Sequence, residues 1–364
     1  SRSIACFLVI VCHSCDAFVA QLDSDRTAFL TGASVGSLVR NCVPLFTMMT
    51  GVLLLPVMIN MTDFYKKRIK RIVIPLIFWS LVLPLAYYFY LNYGYESKSA
   101  LINMDDYTLS ATLKRLNTFI FNFNHTTTRL WYLYMLIGLY LVMPIISVWL
   151  KQATQKEVKT VLYIWGFTLF SPIIKLLATI YGLTGSGGDM KILGVCDWNE
   201  FGMFYYFSGF LGYIILAYYL VKYPIIWSFK KTLAICIPMF IVGYLITIFG
   251  FLAIQDNYPG NFPYLEVIWY FCGINVFMMT FSVFVIVQKI RIKATPQMAQ
   301  MAGLMFGVYL CHFIIVQMAN DLFATFTALP YIVQLFGVAI VSFIISYVVT
   351  WFMAQWKVTK KFIA

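Results

Sequence analysis

The chain has 364 residues, 62% of them hydrophobic and only 11% charged, with a formal net charge of +12. Soluble domains carry about 25% charged residues, so the composition excludes a soluble globular protein. It leaves an integral membrane protein whose apolar runs lie end to end, expected to form one domain over 1–364. In a soluble chain the positive balance would raise nucleic acid as a partner; here basic residues gathered on one side of a bilayer explain it more simply, and no nucleic acid is expected.

A crossing helix needs about 20 apolar residues. The candidates in chain order are 2–21, 35–58, 72–93, 130–149, 160–181, 201–221, 232–254, 265–287, 302–322 and 331–355. The expected fold is therefore an all-α integral membrane protein with about ten transmembrane helices. The connections alternate in charge. Bases collect in 59–71 (Lys66, Lys67, Arg68, Lys70, Arg71), 150–159, 222–231, 288–301 and the tail, with Asp63 and Glu157 as the acids among them. The other connections carry Asp23, Asp25, Glu96, Asp105, Asp106, Asp189, Asp197, Glu200, Asp256 and Asp321. Basic connections stay cytoplasmic, which places both termini there.

Two outer loops are long, 94–129 and 182–200. The second holds Gly185, Gly187 and Gly188 but no following GKS or GKT, so it is no phosphate loop. Trp131, Trp149, Trp198, Trp227, Trp269 and Trp356 fall at span ends as interfacial anchors. No pair of matching Gly/Pro-broken spans stands out. Seven of the eight cysteines sit in apolar runs and only Cys196 in a loop, so no disulfide framework is indicated. The first span carries Arg2, His13 and Asp16, which suits no cleaved signal; the missing initiator Met is read as trimming of the N-terminus.

Ionisable groups at bilayer depth mark functional sites. On a helix, Arg2 and His13 stand about 16 Å apart along the axis, one near a membrane face and one near mid-depth. Asp16 follows His13 by three residues and shares its face. A carboxylate beside an imidazole fixes the tautomer and stabilises the imidazolium, as a general base requires. The competing reading is a polar contact that holds helices together.

Three further stretches hold candidates. In DFYKKRIKRIVIP, Arg68 and Arg71 lie three apart and, if helical, face one way. Two guanidiniums suit a phosphorylated ligand or an anionic lipid headgroup; a purely topogenic cluster is the alternative. In TTTRLWYLYMLIG, Arg129 and Trp131 stand where a span leaves the outer surface. They read as an ordinary boundary, or with Tyr132 and Tyr134 as a sugar platform. In MFGVYLCHFIIV, His312 follows Tyr309 by three within the ninth span. Two intramembrane His without further ligands make no zinc site, so no metal is expected. Arg40, Lys175 and Glu266 also lie in or beside apolar runs, with partners the sequence does not name.

These stretches together resemble the membrane-bound acyltransferase-3 family, and within it the enterobacterial-common-antigen type of O-acetyltransferase. Arg2 and His13 match its pattern of a basic residue, ten residues, then His. VPLFTMMTGVLLLP is similar to its PLFFxxSGxLL segment, FYKKRIKRIVIP to its FxxRRxxRIxP loop, and MFGVYLCHFIIV to its SxGIYLxH segment. Order and spacing agree over nearly the whole chain. The sequence departs from the pattern at Arg129, where relatives have the His of His-Leu-Trp, and at Thr50, where they have Ser.

The resemblance implies transfer of an acyl group, usually acetyl, from cytoplasmic acetyl-CoA as co-substrate to a hydroxyl of a surface polysaccharide or its lipid-linked precursor, across the bacterial cytoplasmic or inner membrane. It implies His13 as base or acyl carrier, with Asp16 beside it. Arg2, Arg68 and Arg71 would hold the CoA phosphates. Trp131, Tyr309 and His312 are the expected acceptor-side residues. The alternatives are a multi-pass transporter of a glycan or small molecule, and a membrane sensor.

Overall fold

The computed structural model describes residues 2–95, 97, 99–121, 124–183, 192–196, 199, 201–290 and 295–363. Glu96, Gly185, Gly187, Gly188, Asp189, Asp197, Trp198, Glu200, Arg291 and Lys293 lie outside them. In chain order the helices are α1 (Arg2–Ser14), α2 (Asp16–Val19), α3 (Arg26–Leu38), α4 (Cys42–Leu54), α5 (Met61–Phe89), α6 (Leu109–Thr118), α7 (Trp131–Gln152), α8 (Gln155–Thr168), α9 (Ser171–Ile180), α10 (Leu211–Lys222), α11 (Phe229–Asn257), α12 (Phe262–Ile268), α13 (Ile274–Lys289), α14 (Pro296–Phe323), α15 (Tyr331–Ala354) and α16 (Lys357–Lys360). No β-strand occurs among the described residues, only an isolated bridge between Cys196 and Asn199.

The protein is an all-α integral membrane protein. Among the described residues, eight stretches are long and apolar enough to cross: Arg2–Val19, Arg26–Leu54, Met61–Gly94, Thr128–Gln152, Gln155–Ile180, Phe229–Asn257, Pro296–Phe323 and Tyr331–Gln355. Two of the expected ten appear as shorter apolar helices, Leu211–Lys222 and Ile274–Lys289.

Several boundaries differ from the sequence reading, and local hydrogen bonding explains why. The second span begins at Arg26 because Asp25, read as a loop acid, is the N-cap of α3. Its carboxylate accepts from the amides of Thr27 and Ala28, each at 2.9 Å. The basic run 66–71 is helix rather than loop, since α5 starts at Met61 with Asn60 capping the Asp63 amide at 2.8 Å. Glu157 closes a capping box with Thr154 at the start of α8. The two acids among the inner bases therefore serve helix starts. Among the described residues, four expected spans are broken helices: between α1 and α2, between α3 and α4, between α8 and α9, and between α12 and α13.

Contacts divide the chain into two compact units. Unit 1 comprises Ser1–Val39, Met58–Pro144 and Lys293–Ala364, and unit 2 comprises Arg40–Val57 and Ile145–Ile292. In unit 1, α14 packs on α15, α1 and α5, and α2 packs on α3. The most apolar stretch of α14 is 67% buried against 33% for α15, which makes α14 the interior helix of the two.

In unit 2, α4 packs on α10 and α11 on α13. Gly51 permits the first contact: a Cβ there would lie 2.7 Å from the Ile214 carbonyl oxygen. This gives the TGVLL segment a packing reason. Arg40 finds its partners within unit 2, over the rings of Trp269 and Phe271, each at 4.6 Å, with Nε donating to the Trp269 carbonyl at 2.8 Å. Trp269 also stacks on Phe251 at 4.1 Å, so it is a packed residue rather than an interfacial anchor. Lys175 is half-buried in α9 and Glu266 is exposed on α12.

Candidate active site

Every candidate catalytic, donor-side and acceptor-side residue falls in unit 1. The centre forms where α1 gives way to α2. Ser14 and Cys15 turn their side chains back to the carbonyls of Ile10 and Val11, at 2.8 and 3.2 Å. Such back-bonding bends helices, and α1 ends there. Cys15 nevertheless keeps helical dihedrals, φ −74° and ψ −24°, so the three-residue relation between His13 and Asp16 survives the break. His13 Nδ1 lies 3.1 Å from Asp16 Oδ2. A carboxylate only accepts, so Nδ1 carries the hydrogen and Nε2 keeps its lone pair. Nε2 has no hydrogen-bond partner among the described residues.

Asp16 is held from a second side. Arg129 Nη2 donates to the same Oδ2 at 2.5 Å, and its guanidinium lies 4.8 Å from the Phe313 ring centre. Side-chain exposures of 17% for His13, 21% for Asp16 and 25% for Arg129 put the trio at a partly wet position. Sequence reasoning treated Arg129 as a boundary residue. The available signal was its place where the family pattern has a His; its reach to Asp16, 113 residues away, had none.

His312 stands against His13, their rings stacked at 5.3 Å between centroids. The Nδ1–H of His312 donates to the Tyr309 carbonyl at 2.5 Å, while its Nε2 is buried without a hydrogen-bond partner among the described residues. His312 is 1% exposed, so it meets His13 rather than open surface. The Tyr309 hydroxyl donates to the carbonyl of Arg129, and its ring lies 5.5 Å from that of Tyr132. Tyr132 is buried and the Tyr134 hydroxyl donates to the Ile120 carbonyl. Trp131 is half-exposed against Tyr132, so the three rings form no open platform.

The expected donor residues also converge. Arg2, Arg68 and Arg71 all act electrostatically on Tyr140, although they come from the start of α1 and the first turns of α5. Arg2 and Arg68 are half-buried and Arg71 is exposed. Three guanidiniums that act on one phenol place positive charge from two elements in the same part of unit 1.

His125, in the loop before α7, lies 5.8 Å from the Phe313 ring and 6.5 Å from Tyr87. Burial holds its pKa below the usual histidine value, and the Arg129 charge adds to the effect.

A bundle of apolar helices with a carboxylate-oriented imidazole inside it defines a membrane protein with a polar centre between its helices. The acyltransferase-domain model of the acyltransferase-3 family matches residues 1–351, and the chain belongs to that family. It is a multi-pass membrane acyltransferase. No curated protein and no solved structure matches it.

Proposed function

We propose that the protein is an O-acetyltransferase of the enterobacterial-common-antigen type. On this reading it moves an acetyl group from cytoplasmic acetyl-CoA to a hydroxyl of a surface polysaccharide or its lipid-linked precursor. The observation that carries the reading is the His13 Nδ1 to Asp16 Oδ2 contact of 3.1 Å, which leaves Nε2 as a free base. Arg2, Arg68 and Arg71 bind the donor phosphates from the cytoplasmic face. Nε2 takes the proton of the sugar hydroxyl while its oxygen attacks the thioester carbonyl carbon. The C–S bond breaks and the thiolate leaves, taking up that proton. Asp16, neutralised by Arg129 in the resting state, stabilises the imidazolium between the two steps. If His13 carries the acyl group instead, the same Nε2 is the nucleophile, and rapid quenching with labelled acetyl-CoA would trap acetyl on His13.

The test is acetyl transfer from labelled acetyl-CoA in vesicles, beside an equilibrium CoA-binding assay. His13→Ala should lose about 10²–10⁴ in rate and keep CoA binding. Arg68→Gln and Arg71→Gln should each weaken CoA binding by about 1.5–3 kcal/mol. CoA binding also separates this reading from a transporter, which has no use for it. Near-normal turnover by His13→Ala at normal protein level would sink the mechanism.

A further inference from the structure

A second polar centre lies in unit 1, beyond the His13–Asp16 pair towards the C-terminal end of α14. Asp321, whose sequence position reads as an outer-loop acid, is instead near the end of α14 and only 4% exposed. Its carboxylate accepts from Ser97 Oγ at 2.6 Å, Tyr90 Oη at 2.9 Å and Gln317 Nε2 at 3.1 Å. All three donors are neutral, and no basic side chain lies within ion-pair distance among the described residues. A carboxylate taken out of water without a cation costs several kcal/mol, which three neutral hydrogen bonds return only in part. Structural needs are met more cheaply by an amide at such a position.

Asp321 also lines a cavity of about 250 Å³. Asn320, Gln21 and Gln334 line it too, between Phe18 and Phe323. The Asn320 amide, 8% exposed, makes no hydrogen bond among the described residues. A carboxylate presents about four lone-pair positions, and three at Asp321 are taken. The cavity thus offers one carboxylate position, one whole amide and two amide oxygens, between aromatic rings. Its volume is just below the usual range of ligand pockets, which gives room for one polar ring.

We infer that this cavity is a subsite for a single neutral sugar residue of the acceptor, held through Asp321 and Asn320. The inference rests on the reading of the chain as a sugar-hydroxyl acyltransferase. Hydroxyls supply the donors that Asp321 can still accept and pair with the open Asn320 amide. A carboxylate held by neutral donors disfavours acidic sugars. Placement agrees: Ala17 and Phe18, which follow Asp16 directly, line the cavity. Asp321 lies about 13 Å beyond His312 along the same helix. The subsite therefore holds the acceptor beside the reacting pair rather than on it.

The test is saturation-transfer NMR on the full chain in nanodiscs, with glucose, galactose, rhamnose, N-acetylglucosamine and glucuronic acid as probes. At least one neutral sugar should bind, glucuronic acid should not, and His13→Ala should bind as the wild type does. Asn320→Ala breaks no hydrogen bond among the described residues, so it should keep the fold and weaken sugar binding by about tenfold or more. Asp321→Asn keeps the shape and should lose the discrimination against glucuronic acid. Failure of every neutral sugar to bind, or unchanged binding by Asn320→Ala, overturns the subsite. CoA binding is measured on the same samples: CoA bound without sugar defeats the subsite alone, and sugar bound without CoA defeats the acetyl-transfer reading alone.

Discussion

The imidazoles of His13 and His312 are stacked, with planes 29° from parallel, although one comes from the first helix and the other from the innermost helix of unit 1. His312 is fixed by its own bond to the Tyr309 carbonyl and by burial. It forms the wall against which His13 is oriented. His312→Ala should lower kcat while leaving CoA binding intact, and His312→Phe, which restores a flat ring, should recover turnover to within a few fold. Equal loss in both variants would mean that a nitrogen of His312, not its face, is what matters.

Arg129 and His13 share one carboxylate oxygen of Asp16, so their effects should not add. Arg129→Gln removes the guanidinium from Asp16, and Asp16→Asn removes the carboxylate charge that Arg129 meets. A double-mutant cycle on turnover should give a coupling of about 0.5–3 kcal/mol between Asp16 and Arg129, as for residues in one network. Additive losses would show that Arg129 acts elsewhere. Arg129→His, which restores the residue type of the relatives, should retain more turnover than Arg129→Gln.

Sidedness is open to direct labelling, because all eight native cysteines are buried and give little background. A cysteine at Ser110, exposed on α6, should react with an impermeant thiol reagent added outside, and one at Lys67 should react only after permeabilisation. Ser97 is a poor labelling position, since its hydroxyl holds Asp321. The opposite labelling pattern would reverse the donor and acceptor faces.

His125 should make the folded state sensitive to mild acid. Its folded pKa lies below that of the unfolded chain, chiefly through burial and then through Arg129. The unfolded chain therefore takes up the proton first. Stability is complete above the unfolded value of about 6.5 and declines as the pH falls through it towards the lower folded value. Thermal unfolding of the purified protein between pH 7.5 and 5.5 checks this as a difference. His125→Gln should lose less stability over that interval than the wild type, and identical slopes would contradict the assignment.

The bundle was legible because hydropathy and alternating charge carry strong signals, and the His13–Asp16 contact because a three-residue spacing on a helix dictates a shared face. Helix starts were less legible: Asp25, Asn60 and Glu157 are polar residues that read as loop until their hydrogen bonds to backbone amides are seen. The stacking of His312 on His13, the reach of Arg129 to Asp16 and the burial of Asp321 depend on which helices become neighbours, and no local pattern encodes that. Asp321 misled most, since an acid at a span end looks like a solvated charge whether or not a cavity waits beside it.

The continuity of α5 has a mechanical consequence. The helix carries Arg68 and Arg71 near its beginning and Tyr87 near its end, and Tyr87 lies 5.9 Å from the Phe313 ring, itself 6.0 Å from that of His13. Arg68 and Tyr87 are separated by about 28 Å of unbroken helical rise. A single helix, with Pro75 and Pro84 inside it, thus sets the spacing between the Arg68 and Arg71 pair and the ring cluster of Tyr87, Phe313 and His13. No loop interrupts that interval, so under the proposed acetyl-CoA reading the reach of the donor molecule should decide which thioesters arrive.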